Sequence, residues 1–588
     1  MCGIFGYVGK KNNAADLVLE GLRILEYRGY DSWGIAQKLN SSIKVVKKAG
    51  KIPAVSMSFS ASNIALGHTR WATHGGVTDQ NAHPHLDCTQ KLAIIHNGII
   101  ENYDEIKRDL QKGGHKFISE TDTEVAIHLI EKYIKEGDIF REAVRKAFNQ
   151  FTGLNAIIVM NVASDSFIAA KTGSPLVIGK GKAEENLIAS DAPALINHTD
   201  TFHFVEDGEL IEISKDHVRS YNQKSGLEEK VVWQKVDWKF NNIDKGKYPH
   251  FMLKEIFEQP KVIESIINQS IPNIEDLSTI IKKSYGTYLV GCGTAAYAAL
   301  AGTYLFSKVA HRHVNFAVGS EFGYQLDFLK KGSLVIALSQ SGETIDVIDA
   351  IKKSKEKGAQ VYALVNVLGS TLYRMADYKS LLMAGPEKAV ASTKAFTAKL
   401  AFLVLLSYIL AKKKSDGLKI LEKALSSTNQ ILHNDISAIK NLAKNLVNKE
   451  HIYVIGRGLA YPIALESALK IKEISYIHAE GMASGELKHG PIALVEKGTP
   501  CIAFLPDDET YGANLAGSME MKARGAKIIG ISYKPHEIFD DFIRVQDAQE
   551  ATIIPETVVI QLLAYYLATQ KGLDPDKPRN LAKSVVVK

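Results

Sequence analysis

The sequence predicts an α+β domain followed by two doubly wound α/β lobes. Up to about Lys230, short apolar strand patterns dominate, as expected where strands and helices segregate. Beyond residue 250, strand and helix patterns alternate, and the alternation occurs twice, over 288–365 and 452–531. Such alternation predicts parallel sheets with right-handed crossovers, whose loops gather at the carboxyl ends of the strands.

Local patterns justify the elements of the first part. Strands are predicted at Leu92–His96, Asn155–Met160 and Leu210–Ile213, and a helix runs from Asp122 through Ile130. The polar segment 231–250 is expected to be a linker between a domain at 2–230 and the second part. A helical stretch, Met252–Asn268, follows it.

In the second part, apolar strands run into loops rich in Gly and Ser. Leu334–Leu338 leads into Ser339–Thr344 and then a helix over Ile345–Lys357, and Ile452–Ile455 leads into Gly456-Arg-Gly458. A long helical stretch, Thr397–Val447, separates the two copies. The predicted lobes span 279–420 and 440–575, and a tail spans 576–588.

Composition excludes several classes of protein. The 588 residues are 46% hydrophobic and 23% charged, which is typical of globular chains. The net charge is 71 − 65 = +6, too weak to indicate a nucleic-acid or membrane partner. The four dispersed cysteines form no Cys-x-x-Cys pair, so we expect no disulfide framework and a reducing compartment. The N-terminus does not resemble a signal peptide, and a cytoplasmic protein is expected.

Cys2 is a candidate nucleophile. Removal of the initiator Met would leave a thiol beside a free α-amine, whose pKa of about 8 suits a base at neutral pH. By itself, a cysteine at this position is a weak signal, because most such cysteines have no catalytic role. Gly3 and Gly6, on a short apolar strand, favour the catalytic interpretation.

Downstream motifs supply groups that suit amino-acid recognition. Arg70 can bind a carboxylate through its fork of donors, Asp122 can hold an ammonium, and Asn97 with the Gly98 amide can form a donor pair for an oxyanion. Each group also has a structural interpretation, as a turn or a surface ion pair. The nearby histidines and Cys88 raise the alternative of a metal site, but their spacing follows no zinc or iron pattern, and no metal is expected.

Together these segments resemble the N-terminal nucleophile glutamine amidotransferases. The resemblance implies an αββα sandwich, Cys2 as the nucleophile, and Trp71 as the gate of an ammonia channel. The implied glutamine-binding residues are Arg70, Trp71, Thr73, His74, Asn97, Gly98 and Asp122. The motifs are Cys2-Gly-Ile, Leu25-Glu-Tyr-Arg-Gly-Tyr-Asp31, His68-Thr-Arg-Trp-Ala-Thr-His-Gly75, His96-Asn-Gly-Ile-Ile-Glu-Asn102 and Glu120-Thr-Asp-Thr-Glu124.

Two patterns in the second part carry chemistry. Ser339–Thr344 offers hydroxyls and free amides at a helix N-terminus, which suits a phosphate, although ordinary N-capping is the alternative. The helix Pro462–Ser475 places Glu466, Lys470 and Glu473 on one stripe of an otherwise largely apolar surface. This stripe predicts a cavity; an ion-pair ladder at a lobe interface is the alternative.

The second part closely resembles the sugar isomerase (SIS) lobes of the glutamine–fructose-6-phosphate aminotransferase family, and these are flavodoxin-like. The resemblance implies that Glu473 moves a proton between C1 and C2, His489 assists ring opening, and Lys583 forms an imine with the ketose. Lys470 lines the same site. The implied sugar-phosphate residues are Cys292, Gly293, Thr294, Ser339, Gln340, Ser341, Thr344, Val390, Ser392 and Glu466. The motifs are Ser339–Thr344, Val390–Phe396, Ala464–Lys470, Lys472–Glu480, Gly485–Pro491 and Pro578–Ser584.

Ala295 departs from the family pattern, which often has Ser there, so one phosphate hydroxyl is missing. The expected substrates are L-glutamine and fructose 6-phosphate. We expect no metal or organic cofactor, because carboxylates carry the proton transfer. A homodimer is also expected. Two alternatives stay open: a sugar-phosphate sensor with a degenerate glutaminase domain, and amide transfer to another phosphosugar.

Overall fold

The computed structural model describes residues 2–53, 55, 57–182, 184–235 and 244–585. The chain divides into two compact units, Met1–Ile243 with Ser584–Lys588, and Asp244–Lys583. The proposed linker 231–250 spans this division. Its residues Gln234–Lys235 form a short strand of the first unit, and 236–243 lie outside the described residues.

The first unit combines many short strands with a few helices. Its helices are α1 (Ala14–Leu25), α2 (Tyr103–Lys112), α3 (Thr123–Lys135) and α4 (Phe140–Phe148). Its strands are β1 (Gly3–Val8), β2 (Ser32–Leu39), β3 (Ser42–Ala49), β4 (Ile64–Arg70), β5 (His85–Leu86), β6 (Leu92–Gly98), β7 (Asn155–Asn161), β8 (Ser166–Thr172), β9 (Val177–Lys180), β10 (Asn186–Ala189), β11 (Thr201–Phe204), β12 (Glu209–Ser214), β13 (Val218–Asn222), β14 (Glu228–Glu229) and β15 (Gln234–Lys235).

Two antiparallel sheets form the middle of this unit. One has the order β15-β11-β9-β10-β1-β4-β2-β3, and the other has the order β14-β13-β12-β8-β7-β6-β5. Alternate residues of both sheets, such as Ile4, Leu66 and Ile158, build the apolar core between them. Helix α1 covers the outer face of the first sheet, and α3 and α4 cover that of the second. The αββα sandwich is thereby confirmed.

The second unit contains the alternating elements. Its strands are β16 (Gly286–Gly291), β17 (Asn315–Val318), β18 (Ser333–Ser339), β19 (Gln360–Val365), β20 (Tyr378–Leu381), β21 (His451–Gly456), β22 (His478–Ala483), β23 (Pro500–Leu505), β24 (Lys527–Ser532) and β25 (Asp541–Arg544). Its helices are α5 (Phe251–Phe257), α6 (Gln259–Gln269), α7 (Ile271–Lys283), α8 (Thr294–Lys308), α9 (Gly319–Phe322), α10 (Ile345–Glu356), α11 (Thr371–Met375), α12 (Lys394–Leu410), α13 (Lys414–Gln430), α14 (Ile436–Leu446), α15 (Ala460–Ser475), α16 (Tyr511–Ala523) and α17 (Ile553–Gln570).

Both lobes have the same topology. The sheet orders β17-β16-β18-β19-β20 and β22-β21-β23-β24-β25 are both 2-1-3-4-5, and every pairing within them is parallel. This is the flavodoxin-like order, which confirms two doubly wound lobes. The strand order reverses beside β16 and beside β21, which is where ligands of such sheets bind.

Two helices depart from their predicted bounds. The expected helix Met252–Asn268 is two helices, because α5 ends at Phe257 and α6 begins at Gln259 with Pro260 in its first turn. Helix α15 begins at Ala460, two residues before Pro462. Proline is tolerated there because the first turn has no intrahelical acceptor for its missing N–H.

One core joins the two lobes. Residues of α8, α12, α15 and α17 pack together with those of α5–α7 and α13–α14 in a single buried cluster. The segment Gln549–Gln570, which contains α17, has the length and apolarity to cross a membrane, and 94% of its most apolar window is buried inside the structure. A core helix has these same properties.

Candidate active sites

Cys2 lies beside the end of β4. Antiparallel pairing aligns Gly3 with Thr69, so the residue before β1 meets the residues after β4. The Cys2 Sγ accepts the Trp71 N–H at 3.3 Å, and the thiol lies 3.6 Å from the Trp71 carbonyl oxygen. A Cβ on Gly3 would lie 2.5 Å from Thr69 Oγ1, so this close approach requires glycine. Met1 lies outside the described residues.

The amide of Asn97 is held beside Cys2. Its Nδ2 donates to the Cys2 carbonyl at 3.1 Å, and its Oδ1 lies 3.1 Å from His68 Nε2. His68 Nε2 also lies 2.9 Å from the His96 carbonyl oxygen, so it must be the donor to both oxygens. Burial lowers the pKa of His68 to about 3, which keeps the ring neutral. His68 therefore positions Asn97, a role that the sequence analysis did not assign.

Gly98 completes the predicted donor pair. It has a φ of +128°, and a Cβ there would lie 2.0 Å from the Leu154 carbonyl oxygen. Only glycine fits, so the direction of this peptide amide is determined by the backbone. The two groups predicted to hold an oxyanion are consecutive residues at the end of β6.

The side chains of Arg70 and Asp122 are both buried, and both form hydrogen bonds with backbone groups. The Arg70 guanidinium donates to the carbonyls of Gly75 and Gly76 at 3.2 Å each, and to that of His74. Asp122 Oδ2 accepts the Ile100 N–H at 2.8 Å. In this structure Arg70 thus shapes the loop that carries His74. Trp71 and His74 are half-buried, and Thr73 is exposed.

The predicted phosphate loop follows β18 and precedes α10. Ser339 Oγ accepts the Gly342 N–H at 3.0 Å and lies 3.3 Å from Thr344 Oγ1, and Ser341 Oγ accepts the Glu343 N–H. Cys292-Gly293-Thr294 lies at the end of the neighbouring strand β16 and leads into α8. Burial raises the pKa of the Cys292 thiol to about 11, so it stays protonated. The structure brings both loops to one edge of the sheet, where each leads into a helix N-terminus, a position that favours an anion.

The predicted stripe on α15 is a compact ionic cluster. Lys470 Nζ contacts Glu473 Oε2 and lies 3.5 Å from Glu466 Oε1. Thr294 Oγ1, from the first lobe, donates to the same Glu466 oxygen at 3.3 Å. The Glu466 and Lys470 side chains are each 1% exposed, whereas that of Glu473 is 20% exposed. The stripe therefore adjoins the first sugar-phosphate loop, and Glu473 is its most accessible member.

Burial has its main effect in this cluster on the pKa of Glu466. It raises the pKa of this carboxyl to about 8, although the neighbouring Lys470 opposes the shift. Burial also disfavours the charged form of Lys470, but the two carboxylates outweigh it and raise the pKa of Lys470 above its ordinary value. Near neutral pH, Glu466 is therefore protonated and Lys470 is charged.

Lys583 of the tail is anchored to the first lobe. Its Nζ donates to Glu387 Oε2 at 2.6 Å and to the Ala389 carbonyl at 2.8 Å. Glu387 also accepts the hydroxyl of Ser392 at 3.1 Å and the amide of Thr393 at 2.9 Å. Burial opposes ionisation of Glu387, but the Lys583 charge and the hydrogen bonds from Lys583, Thr393 and Ala395 together outweigh it and lower the pKa of Glu387 to about 2. Val390 donates its amide to Asp576 of the same tail at 3.0 Å.

The sequence analysis missed Glu387, because a single Glu before an apolar run looks like a surface charge. It also missed Lys399 on α12. That side chain is fully buried, and its pKa is lowered to about 8 by burial and modulated by the charges of Glu387, Lys583, Glu466 and Lys470. The Lys399 Nζ donates to the Ala395 carbonyl at 3.2 Å, within the buried helix α12.

His489 is the predicted residue that is not brought to the stripe. It ends a short 3₁₀ turn, Glu486–His489, and its side chain is exposed. Among the described residues, no hydrogen bond or ion pair joins it to Glu466, Lys470 or Glu473.

Comparisons with known proteins cover both units. A glutamine amidotransferase domain model matches residues 37–232, and a SIS domain model matches 280–408 and 445–569. The chain is 42% identical over 599 residues to the glutamine–fructose-6-phosphate aminotransferase [isomerizing] of Pyrococcus horikoshii, covering 100% of both chains. It is also 42% identical over 618 residues to that of Clostridium tetani, again covering 100% of both.

The chain belongs to the glutamine–fructose-6-phosphate aminotransferase family.

Solved structures agree for the second unit. The C-terminal domain of the glucosamine-fructose-6-phosphate aminotransferase from Francisella tularensis is 34% identical and covers 57% of this chain and 100% of its own, with a TM-score of 0.53. Tagatose-6-phosphate ketose/aldose isomerase from Escherichia coli, at 17% identity and TM-score 0.50, covers 56% of this chain and 96% of its own. The second likeness concerns the fold alone.

The raised pKa of Glu466 predicts a pH-dependent stability. Its ordinary value is 4.5 and its folded value is about 8, so the folded state holds the proton more tightly. The stability that this proton contributes is fully present below the pKa of the unfolded state and is lost as pH rises towards 8. Glu466→Gln mimics the protonated form at every pH. The free energy of unfolding of the variant, relative to that of the unmodified protein, should therefore rise between about pH 5 and 8.

Urea unfolding of both proteins across that range measures the difference. Other buried carboxyls with raised pKa values, such as Glu255, are common to both proteins and cancel. Parallel stability curves for the two proteins would contradict the assignment of a proton to Glu466.

Proposed function

We propose that this chain transfers the amide nitrogen of L-glutamine to D-fructose 6-phosphate and isomerises the product to D-glucosamine 6-phosphate, releasing L-glutamate. Family membership supports the overall reaction. The observation that carries the residue roles is the presence in one chain of two different sites. One has a thiol beside a fixed amide donor, and the other has a buried Glu-Lys-Glu stripe near a docked lysine.

At the first site, Cys2 attacks the side-chain carbonyl carbon of glutamine. Its α-amine, freed by removal of Met1, takes the thiol proton and passes it to the departing nitrogen. Asn97 Nδ2 and the Gly98 amide stabilise the oxyanion, because both donors are already oriented. Ammonia leaves, and water hydrolyses the thioester to glutamate. Arg70 and Asp122 bind the α-carboxylate and α-ammonium of the substrate in this proposal.

At the second site, the Ser339–Thr344 loop and Cys292-Gly293-Thr294 bind the phosphate, and Lys583 forms an imine with C2 of the open-chain ketose. Ammonia displaces Lys583, which leaves an imine of the sugar. Glu473 removes a proton from C1 and returns one to C2, and the proton of the C1 hydroxyl passes to the imine nitrogen, so the C2 imine becomes an amine and C1 becomes the aldehyde carbon. The Glu473 side chain is 20% exposed and can reach a substrate, whereas the side chains of Lys470 and Glu466 are buried.

Lys583 needs a free amine to form its imine. In the structure it is held as an ammonium by Glu387, so a proton must leave this pair before the imine forms. Because the pKa of Glu387 is lowered to about 2, this carboxylate positions Lys583 but does not keep the proton, which passes to solvent. His489 assists ring opening in this scheme.

The proposal includes direct transfer of ammonia within the protein, with Trp71 as the gate. It also includes a cytoplasmic homodimer without nucleic-acid or membrane partners, and a reaction that needs no metal or organic cofactor. The weak net charge supports the absence of nucleic-acid and membrane partners, and the dispersed cysteines support a reducing compartment.

Cys2→Ala should separate the two activities. The thiol serves only the release of ammonia, so glutamine-dependent synthesis of glucosamine 6-phosphate should be lost while synthesis from added ammonia continues. Product assays with each nitrogen donor measure this. Equal loss of both activities in a folded variant would reject the assignment of Cys2.

Glu473→Gln should have the reciprocal effect. Glutamine has the shape of the carboxyl but cannot accept a proton, so ammonia-dependent synthesis should fall by about 10²–10⁴-fold, the usual range for a general base. Hydrolysis of glutamine by Cys2 should persist. The matched control is Glu450→Gln, because Glu450 is an exposed carboxylate just before β21. Unchanged synthesis in Glu473→Gln would reject the proposed base.

A further inference from the structure

Four potential metal ligands meet in the first unit, away from Cys2. Cys88 follows β5, His115 follows α2, and His128 and Glu131 lie one turn apart on α3. One donor atom from each residue lies within 4.8 Å of the other three. The spacing of these residues along the chain does not reveal the cluster. The three segments that supply it are separated by 26 and 12 residues and meet only in the folded protein.

The distances match the edges of a tetrahedral site. Zinc holds sulfur at about 2.3 Å and nitrogen or oxygen at about 2.0–2.1 Å, so tetrahedral geometry separates nitrogen from oxygen by ~3.3 Å and sulfur from nitrogen by ~3.6 Å. The Nδ1 atoms of His115 and His128 lie 3.2 and 3.3 Å from Glu131 Oε2. Cys88 Sγ lies 3.8 and 3.5 Å from the same two nitrogens.

Surrounding groups orient the donors. Glu131 Oε1 pairs with Lys135 at 2.7 Å, which directs Oε2 towards the imidazoles. The other ring nitrogen of His128, Nε2, lies 3.5 Å from Glu124 Oε1. A carboxylate behind a histidine in this way holds the ring for a metal on its opposite nitrogen. Glu124 is in turn held by the amides of Ile118 and Ser119 at 2.8 and 2.6 Å.

The cluster is closed on one side and open on the other. The side chains of His115, His128 and Glu131 are 7%, 1% and 4% exposed, whereas Cys88 is exposed. An ion could enter past the thiol and would be surrounded by protein on its remaining sides. Four protein ligands leave no open coordination position, which is the arrangement of a structural site and not of a catalytic one.

We propose that Cys88, His115, His128 and Glu131 form a structural site for a zinc-class divalent metal. Binding requires the thiolate, so the Cys88 proton is released to solvent. Both histidines bind through Nδ1, so their ring protons move to Nε2, where that of His128 faces Glu124. The mixture of thiolate, imidazole and carboxylate suits zinc better than magnesium or calcium, which prefer oxygen ligands.

The metal would join three segments of the glutaminase unit. It would bind the loop after β5 and the loop after α2 to the second and third turns of α3, whose first turn follows Asp122. The expected consequence is a higher stability of this unit, since a metal that binds only the folded state stabilises it. This inference departs from the sequence-based expectation of no metal, and it is independent of the reaction assigned above.

Titration with Co²⁺ tests the site directly. The untagged full-length chain, in the Cys2→Ala background to remove the other thiol of this unit, is treated with EDTA, dialysed and titrated under anaerobic conditions. We expect one equivalent to bind, with a thiolate-to-cobalt band in the near ultraviolet and the intense visible bands of tetrahedral cobalt. Zn²⁺ should displace Co²⁺ and thereby remove both sets of bands, and it should raise the midpoint of unfolding of the protein.

Matched variants localise the signal. Cys88→Ser should abolish the thiolate band, and His115→Gln should abolish stoichiometric binding. Cys88 lies at the open side, where substitution leaves the core intact, and glutamine keeps much of the size and polarity of the largely buried His115 side chain. His217→Gln removes a half-buried imidazole at the β12–β13 turn and should bind as the parent does. Absence of any tetrahedral cobalt spectrum in the parent, or an identical spectrum in Cys88→Ser, would overturn the proposal.

Discussion

Lys470 lies buried between two carboxylates, and the architecture of the second unit depends on how this charge is balanced. Isolated charges inside a protein are costly, and removing one partner of a buried pair leaves the other uncompensated. Here burial raises the pKa of Glu466 and the carboxylates raise that of Lys470, so a protonated Glu466 and a charged Lys470 lie side by side near neutral pH. Apart from the exposed Lys472, helix α15 is otherwise largely apolar and mostly buried, so Glu466 and Lys470 lie inside the protein. Thr294 of the first lobe donates to the same cluster, so the balance involves both lobes.

The same constraint operates at the tail. Lys583 reaches the first lobe because Glu387 is there to receive its charge, and Glu387 is itself held by the Ser392 hydroxyl and by backbone amides of the Thr393 segment. In the first unit, Arg70 is buried against carbonyls and His68 is buried neutral. Each site therefore combines a dry environment with groups already in position. This combination favours catalysis, because little reorganisation is needed when charge develops.

Much of this could be predicted from sequence, for identifiable reasons. The α15 stripe follows from a rotation of about 100° per residue, and the two lobes follow from alternating strands and helices. Cys2, Asn97 and Gly98 lie in local motifs, and the structure places Asn97 against the Cys2 carbonyl. These features depend on local geometry or on short segments, which a sequence displays directly.

Other features depend on contacts between distant segments. The role of Glu387 is apparent only in the folded chain, where Lys583, 196 residues later, donates to it. Glu466 is more deeply buried than Glu473 because the packing over the two side chains differs. Helical periodicity carries no information about that packing. Cys88 and His128 come together across 40 residues, and His489 stays apart from the stripe although the motif places it close in sequence.

The central claim is that the part-exposed carboxylate of the Lys470 cluster, Glu473, moves the proton between C1 and C2. Exchange of the C1 hydrogen of fructose 6-phosphate with heavy water, followed by NMR, tests it most directly, because exchange reports proton abstraction without requiring a complete reaction. Glu473→Gln should exchange far more slowly than the unmodified protein, while Glu450→Gln should exchange normally. Exchange at the unmodified rate in Glu473→Gln would show that another group, such as Lys470, is the base, and that the α15 stripe is a structural ion-pair ladder.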